Sequence, residues 1–170
     1  MFLVFNKDKI MAFVVAWCTV FVLFVMTSIF ARAPQNTVET ASTVKQLPIY
    51  SVDTEEAKVA LTINCAWNAD DIDLILQTLE KHEVKVTFFM VGDWIEKNEE
   101  VARKIYEAGH ELANHSYNHP HVNNLSYDKN IEQINKCSDL IKKITGNPST
   151  LYRGPYGEYN DTVIRSSKRC

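Results

Sequence analysis

The chain has 170 residues, of which 46% are hydrophobic, and a formal net charge of -3 at pH 7. This length allows one folded domain with its own core, and the slightly acidic balance lacks the basic stripe that binds a phosphate backbone, so we expect no nucleic-acid partner. The spacing of the four cysteines resembles neither a zinc knuckle nor a CxxC redox pair.

The first predicted element is an apolar segment from Ile10 to Ala31, with 22 consecutive uncharged residues. A run of this length spans a bilayer as a helix. Lys7 and Lys9 precede it, so the positive-inside rule places residues 1–9 in the cytoplasm and the rest of the chain outside the cell. We favour a single-pass membrane anchor because the run exceeds a usual signal core. Secretion after cleavage near Ala33 is the alternative.

Residues 32–46 are predicted to be a linker, because Thr, Ser, Ala, Gln and Asn dominate them and bury little apolar surface. Residues 47–170 then form the folded domain. In that domain, short apolar runs alternate with helical patterns, which predicts an α/β fold of parallel βα units. The predicted strands are residues 58–63 (KVALTI), 84–92, 111–116 and 151–154 (LYRG). The predicted helices cover residues 69–82, 98–110 and 126–144 and begin again after a cap-like Asn160.

Polar residues follow three of these strands, at the edge where functional side chains of parallel sheets gather. They are Asn64 and Cys65, His115 and His119, and Arg153 with the turn that contains Tyr156. Two neutral imidazoles at a strand end suit zinc or a similar divalent ion, although the spacing H-x-x-x-H also fits a solvated helix face. His121 is interpreted as a loop residue beside the site.

Four segments together resemble the polysaccharide deacetylase family, the NodB homology domain of carbohydrate esterase class four. They are VALTINCAWNADD, VKVTFFMVGDWIEKN, AGHELANHSYNHPHVNNLS and LYRGPYGEYND. The similarity runs from Leu47 to the C-terminus and is greatest to the membrane-anchored, cell-wall branch of spore-forming Gram-positive bacteria. It implies a distorted (β/α) barrel and a metal-dependent hydrolase that removes N-acetyl groups from N-acetylglucosamine units of cell-wall polysaccharide such as peptidoglycan.

The resemblance also implies roles for individual residues. His115 and His119 match the two metal-binding histidines of the family, with zinc as the expected ion and cobalt or a similar ion as the alternative. Arg153 matches the arginine that orients the catalytic base, and Tyr156 lies where a backbone amide assists the oxyanion. The implied partner is cell-wall glycan, and the sequence indicates no oligomeric state.

The first family motif is Thr-Phe-Asp-Asp-Gly-Pro, whereas this chain has Thr-Ile-Asn-Cys-Ala-Trp at residues 62–67. Asn64 occupies the position of the base but cannot accept a proton at neutral pH, and general base catalysis contributes about 10²–10⁴-fold. Cys65 replaces the aspartate that binds the metal. A thiolate also binds zinc, so Cys65 is a candidate third ligand, with Asp70 and Asp71 as the alternatives.

The family domain continues with further βα units and a Leu-x-His motif that carries the general acid, whereas this chain ends at Cys170. We therefore expect an incomplete barrel without that acid. Together with Asn64, this makes the activity of the chain doubtful. The alternative function is a non-catalytic, truncated remnant that binds metal or glycan at the cell surface.

Overall fold

The N-terminal unit contains one long helix. The computed structural model describes residues 7–32 and 46–170, and contacts divide the chain into two units, Met1–Thr43 and Val44–Cys170. In the first unit, helix α1 covers Lys7–Arg32 and contains the predicted apolar segment. Its stretch Met11–Ser28 has a mean hydropathy of 2.2, so by length and composition it qualifies as a membrane span or as a signal sequence. The predicted linker lies almost entirely outside the described residues.

The second unit is built on a parallel sheet of three strands, β1 (Thr62–Cys65), β2 (Thr87–Met90) and β3 (Glu111–Asn114), in the order β1-β2-β3. Five helices accompany it: α2 (Ile72–Lys81), α3 (Gly92–Lys97), α4 (Glu99–Glu107), α5 (Tyr127–Thr145) and α6 (Asp161–Arg169). Two short 3₁₀ turns cover Val122–Asn124 and Pro155–Gly157. The predicted α/β class with a parallel sheet is confirmed.

The central strand β2 explains where the core lies. Phe88, Phe89 and Met90 are all buried, as expected of a parallel strand that is covered on both faces. Register pairs Cys65 with Met90 and Met90 with Asn114, so the three strands end at the same level. The residues that follow these strands are therefore brought to one edge of the sheet.

Local capping chemistry sets the boundaries of α5 and the start of α6. Ser126 precedes α5, and its side chain accepts a hydrogen bond from the Lys129 N–H at 3.3 Å. Gly146 closes the same helix with a φ of +78°, a conformation that glycine adopts at little cost. The predicted cap Asn160 is confirmed, since its Oδ1 accepts a hydrogen bond from the Val163 N–H at 2.9 Å.

All four predicted strands differ in extent from the structure: β2 and β3 are shorter than residues 84–92 and 111–116, and the other two differ more. KVALTI was predicted over residues 58–63, but β1 spans Thr62–Cys65, because its partner strand begins only at Thr87. LYRG is not a strand: it makes one isolated bridge, between Asn114 and Tyr152. The chain turns at Pro155, which lacks the N–H that a longer ladder requires.

Helix α3 follows β2 directly and is absent from the sequence-based assignment. The apolar run from Val84 to Gly92 predicts strand throughout, yet β2 ends at Met90 and α3 starts at Gly92. Trp94 and Ile95 continue the apolar pattern into α3. A short buried helix and a buried strand have the same composition, so hydrophobicity alone does not separate them.

Candidate active site

Backbone hydrogen bonds join the Arg153 segment to the end of β3. The Asn114 N–H donates to the Leu151 carbonyl at 3.0 Å, and the Arg153 N–H donates to the Asn114 carbonyl at 2.9 Å. The isolated bridge therefore places Arg153 beside His115, the residue that follows Asn114.

Arg153 connects the last segment to the first strand. Its Nη1 donates to Asn64 Oδ1 at 2.9 Å, and its Nη2 donates to Thr62 Oγ1 at 3.0 Å. The guanidinium carbon lies 3.9 Å from the centroid of the Phe89 ring, and this contact restricts the orientation of the guanidinium plane. Arg153 thus holds the Asn64 amide oxygen where one oxygen of an aspartate side chain would lie. Asn64 itself supplies no basic atom there.

His115 is 2% exposed, and one hydrogen bond fixes its tautomer. Its Nδ1 lies 2.7 Å from the Arg153 carbonyl oxygen. Since a carbonyl only accepts, Nδ1 carries the proton, and the lone pair of the neutral ring is on Nε2. Burial lowers the pKa of His115 and so favours that neutral form. A ring held in this way is a suitable donor to a divalent metal.

His119 lies next to His115, with the ring centroids 5.0 Å apart and the planes at 75°. Burial also lowers the pKa of His119. In the part of the chain that the structure describes, four non-glycine residues have a positive φ angle. Three of them lie at this site: Ser116 (66°), His119 (55°) and Tyr156 (58°). Such backbone strain concentrates at functional sites.

Cys65 packs in the hydrophobic core with Ile72 and Met90 and is 3% exposed. Burial, aided by the charge of Asp71, raises the pKa of the Cys65 thiol to about 12. This environment favours the neutral thiol, whereas a metal requires the thiolate. Over residues 7–32 and 46–170, no group of three or more His, Cys, Asp or Glu side chains is arranged to hold a metal ion. Metal binding by His115 and His119, with a third ligand from Cys65, Asp70 or Asp71, therefore stays a prediction.

Asn114 is a supporting residue that no sequence motif indicates. Its Nδ2 donates to the Ile134 carbonyl at 2.7 Å and to Ser138 Oγ at 2.9 Å, and its Oδ1 accepts from the Ser116 N–H at 2.8 Å. It ties the end of β3 to α5 and starts the turn that leads to His119. The available signal was a polar residue that ends a buried strand immediately before His115.

His121 and Glu158 form a second pair that spacing could not predict. His121 Nδ1 lies 2.7 Å from Glu158 Oε1, and the His121 ring stacks on Tyr156 with centroids 4.1 Å apart and planes at 10°. The hydrogen bond to His121 lowers the pKa of Glu158. These contacts place His121 beside Tyr156, at the border of the site.

The model of the polysaccharide deacetylase family matches residues 51–170. This chain belongs to the polysaccharide deacetylase family. Among curated members, it is 38% identical over 117 residues to the uncharacterized protein YlxY of Bacillus subtilis. It is also 36% identical over 118 residues to the peptidoglycan-N-acetylmuramic acid deacetylase PdaC of the same organism. Both alignments cover 69% of this chain, but only 37% of YlxY and 25% of PdaC, so the chain spans well under half the length of these deacetylase-family relatives.

Solved structures of the family have the same fold. BA3943 of Bacillus anthracis, described as a pseudoenzyme of carbohydrate esterase family four, aligns with a TM-score of 0.63 and 36% identity over 65% of this chain and 39% of its own. A BA3943 mutant described as having restored enzymatic activity aligns equally well. PdaC of Bacillus subtilis gives a TM-score of 0.62 and 35% identity over 69% of this chain and 58% of its own. The second unit therefore has part of the fold of these family structures, since the alignments cover 39% of BA3943 and 58% of PdaC.

Proposed function

We propose that this chain carries the site of a metal-dependent N-deacetylase for cell-wall polysaccharide, with hydrolysis impaired by Asn64. The observation that supports this most directly is the hydrogen bond from His115 Nδ1 to the Arg153 carbonyl at 2.7 Å. It directs the lone pair of Nε2 away from the backbone, as a metal ligand requires. The same arginine holds Asn64, which stands at the family's base position.

Four residues of the chain have separate roles in the proposed site. His115 and His119 would hold the metal, and a bound divalent ion would supply Lewis-acid polarisation of an acetamide carbonyl. Arg153 orients the side chain at position 64 and keeps its oxygen at the strand end. Tyr156 has a positive φ, which sets the direction of the backbone in its turn. In the family, a backbone amide at this place stabilises the oxyanion.

The second candidate function is non-catalytic binding of metal or glycan at the cell surface. Asn64 favours it, because an amide does not accept a proton at neutral pH, and so does the burial of Cys65 in the core. The relative BA3943 is itself described as a pseudoenzyme. Loss of the base alone lowers the rate by about 10²–10⁴-fold, which reduces an enzyme to a binding domain in practice.

The substrate class and location are part of the same proposal. Curated relatives are named as deacetylases of peptidoglycan N-acetylmuramic acid or N-acetylglucosamine, and we assign this chain an N-acetylated cell-wall glycan. We propose that residues 10–31 anchor the chain in the cell membrane, that residues 32–46 act as a linker, and that residues 47–170 lie outside the cell. A secreted form, cleaved near Ala33, is the alternative.

The test measures acetate release from N-acetylglucosamine oligomers by the full chain in detergent, with and without added zinc. We expect Asn64→Asp to release acetate about 10²-fold or more faster than the wild type, because Arg153 already holds the side chain in place. Asn64→Asp/Cys65→Asp restores both aspartates of the family motif, but we expect no gain over Asn64→Asp, because position 65 is 3% exposed in the core and an unpaired carboxylate is costly there. His115→Ala in either background should abolish the gain and the response to zinc.

Two outcomes contradict parts of this proposal. A wild-type rate equal to that of Asn64→Asp would show that position 64 does not limit the reaction. Absence of acetate from all variants, with folding verified by circular dichroism, would overturn the deacetylase assignment and leave the non-catalytic function.

A further inference from the structure

Trp67 is a large aromatic residue in an unusual position. It lies two residues after β1, stands where the family's first motif has proline, and is 83% exposed. Its ring centroid lies 5.9 Å from that of His119. Trp94, by contrast, is 2% exposed and donates its indole N–H to the Asn68 carbonyl at 3.1 Å, so it belongs to the core.

A second exposed aromatic ring borders His119. Tyr156 is 60% exposed, and its ring centroid lies 4.6 Å from that of His119. The stacked His121 ring supports Tyr156, and Glu158 holds His121 through the hydrogen bond of 2.7 Å. The Tyr156 ring is therefore held in place before any ligand arrives, which lowers the entropy lost on binding.

We propose that Trp67, together with Tyr156, forms an aromatic surface that stacks on a pyranose ring of the cell-wall glycan beside the His115–His119 pair. The inference rests on the proposed function for the class of ligand. A pyranose with equatorial substituents presents a flat face of C–H groups. The electronegative face of an indole ring attracts such weakly positive hydrogens. Aromatic surface that stays exposed beside a functional cluster is typical of a binding site.

Two features, flat aromatic area and negative net charge, indicate the chemistry of the ligand. Trp67 and Tyr156 provide flat apolar area, and the formal charge of the chain is -3, which disfavours a polyanionic ligand. A neutral sugar ring that carries an acetamide group satisfies both features. Stacking on Trp67 would fix the position of the sugar relative to His119, so Trp67 acts as a positioning and specificity residue and not as a catalytic one.

Binding of N-acetylglucosamine tetramer to the full chain in detergent tests the proposal by calorimetry and tryptophan fluorescence. We expect Trp67→Ala to weaken binding about tenfold, while Trp67→Phe keeps most of the affinity and loses the fluorescence change. Val59→Ala is the control, because Val59 is 96% exposed and precedes β1, whereas Trp67 follows the other end of that strand. Affinity of Trp67→Ala within twofold of the wild type, or a wild-type chain that does not bind the tetramer, would overturn the proposal.

The result of this binding test can be distinguished from the result of the acetate-release test of the proposed function. If Asn64→Asp releases acetate and Trp67→Ala in that background leaves KM unchanged, the aromatic surface is wrong and the deacetylase assignment stands. If Trp67→Ala weakens tetramer binding while no variant releases acetate, the surface stands and the deacetylase assignment fails.

Discussion

The buried histidines of this domain differ in which ring nitrogen carries the proton. His115 donates from Nδ1 to a carbonyl, whereas His110 Nδ1 accepts the Val86 N–H at 3.3 Å. The two residues are therefore opposite tautomers, and both are neutral in the folded chain. His110 is 4% exposed and lies edge-on to Phe88 with centroids 5.4 Å apart, so its role is in the core.

Protonation of His110 would break its bond to Val86, and this predicts a pH dependence of stability. Burial, and then the charge of Lys85, hold the pKa of His110 below its ordinary value of 6.5. Above pH 6.5 the ring is neutral in both states; below it, the unfolded chain binds a proton that the folded chain does not. The free energy of unfolding therefore falls as the pH drops from 6.5 towards the lower pKa of the folded state.

Urea unfolding in EDTA, from about pH 8 to about pH 5, measures this slope. His110→Asn keeps an acceptor near Nδ1 but does not titrate, so we expect a shallower loss of stability below pH 6.5 than in the wild type. Part of the slope remains, because burial also lowers the pKa values of His115 and His119. The exposed His82→Asn controls for removal of a histidine. Equal slopes for His110→Asn and the wild type would refute the assignment.

At the scale of elements, the turn after Arg153 depends on a glycine for space. Gly154 has an ordinary φ of -63°, but a Cβ there would overlap the Glu158 carbonyl oxygen and meet Val122 Cγ2 at 3.5 Å. The turn is thus closed tightly around position 154. It carries Tyr156 and Glu158, and through them His121.

We expect Gly154→Ala to reduce the free energy of unfolding by about 1–3 kcal/mol, as overpacking usually does, and to displace Tyr156. Gly146→Ala is the control: it strains a φ of +78° but meets no atom within 4 Å, so it costs about 1 kcal/mol without moving the site. Urea titration gives both energies, and near-ultraviolet circular dichroism reports the Tyr156 environment. An unchanged aromatic spectrum in Gly154→Ala would contradict the proposed coupling.

The elements that sequence predicted well are those whose signals are local. The buried run around Phe88 identifies β2, and the caps Ser126 and Asn160 identify the starts of α5 and α6. β1 and LYRG were assigned with wrong extents, because strand length depends on where a partner strand begins and on where a proline turns the chain. Those constraints come from residues distant in sequence.

In the candidate site, too, local signals could be predicted from the sequence and contacts between distant residues could not. The positions of the strand ends predicted that Asn64, His115 and Arg153 would lie close together. In the structure, Arg153 donates a hydrogen bond to Asn64 and accepts one from His115. The sequence could not indicate that Cys65 faces the core, since Asn64 and Cys65 are adjacent and alternate faces of β1. Nor could it pair His121 with Glu158, 37 residues away, because no local pattern connects them.

At the scale of the whole molecule, α1 has the surface of a helix suited to lipid. Its apolar side chains are exposed around the helix, with Phe13 at 72%, Trp17 at 69% and Phe24 at 68%. Its hydroxyl groups bond within the helix: Thr19 Oγ1 donates to the Ala16 carbonyl at 2.8 Å, and Ser28 Oγ donates to the Phe24 carbonyl at 2.8 Å. Backbone and hydroxyl donors satisfied inside one segment are what a bilayer core requires.

The anchor proposal therefore predicts that the full chain stays in the membrane pellet after carbonate extraction, while a chain that lacks residues 1–32 is released. Phe21→Lys places a charge near the middle of α1, where it costs about 2.5–3.5 kcal/mol, and should shift the chain to the soluble fraction. Val59→Lys adds the same charge at a fully exposed position and should leave the chain in the pellet. A shortened product in the medium, starting near Ala33, would instead establish the secreted form, because a cleaved leader leaves no anchor on the domain.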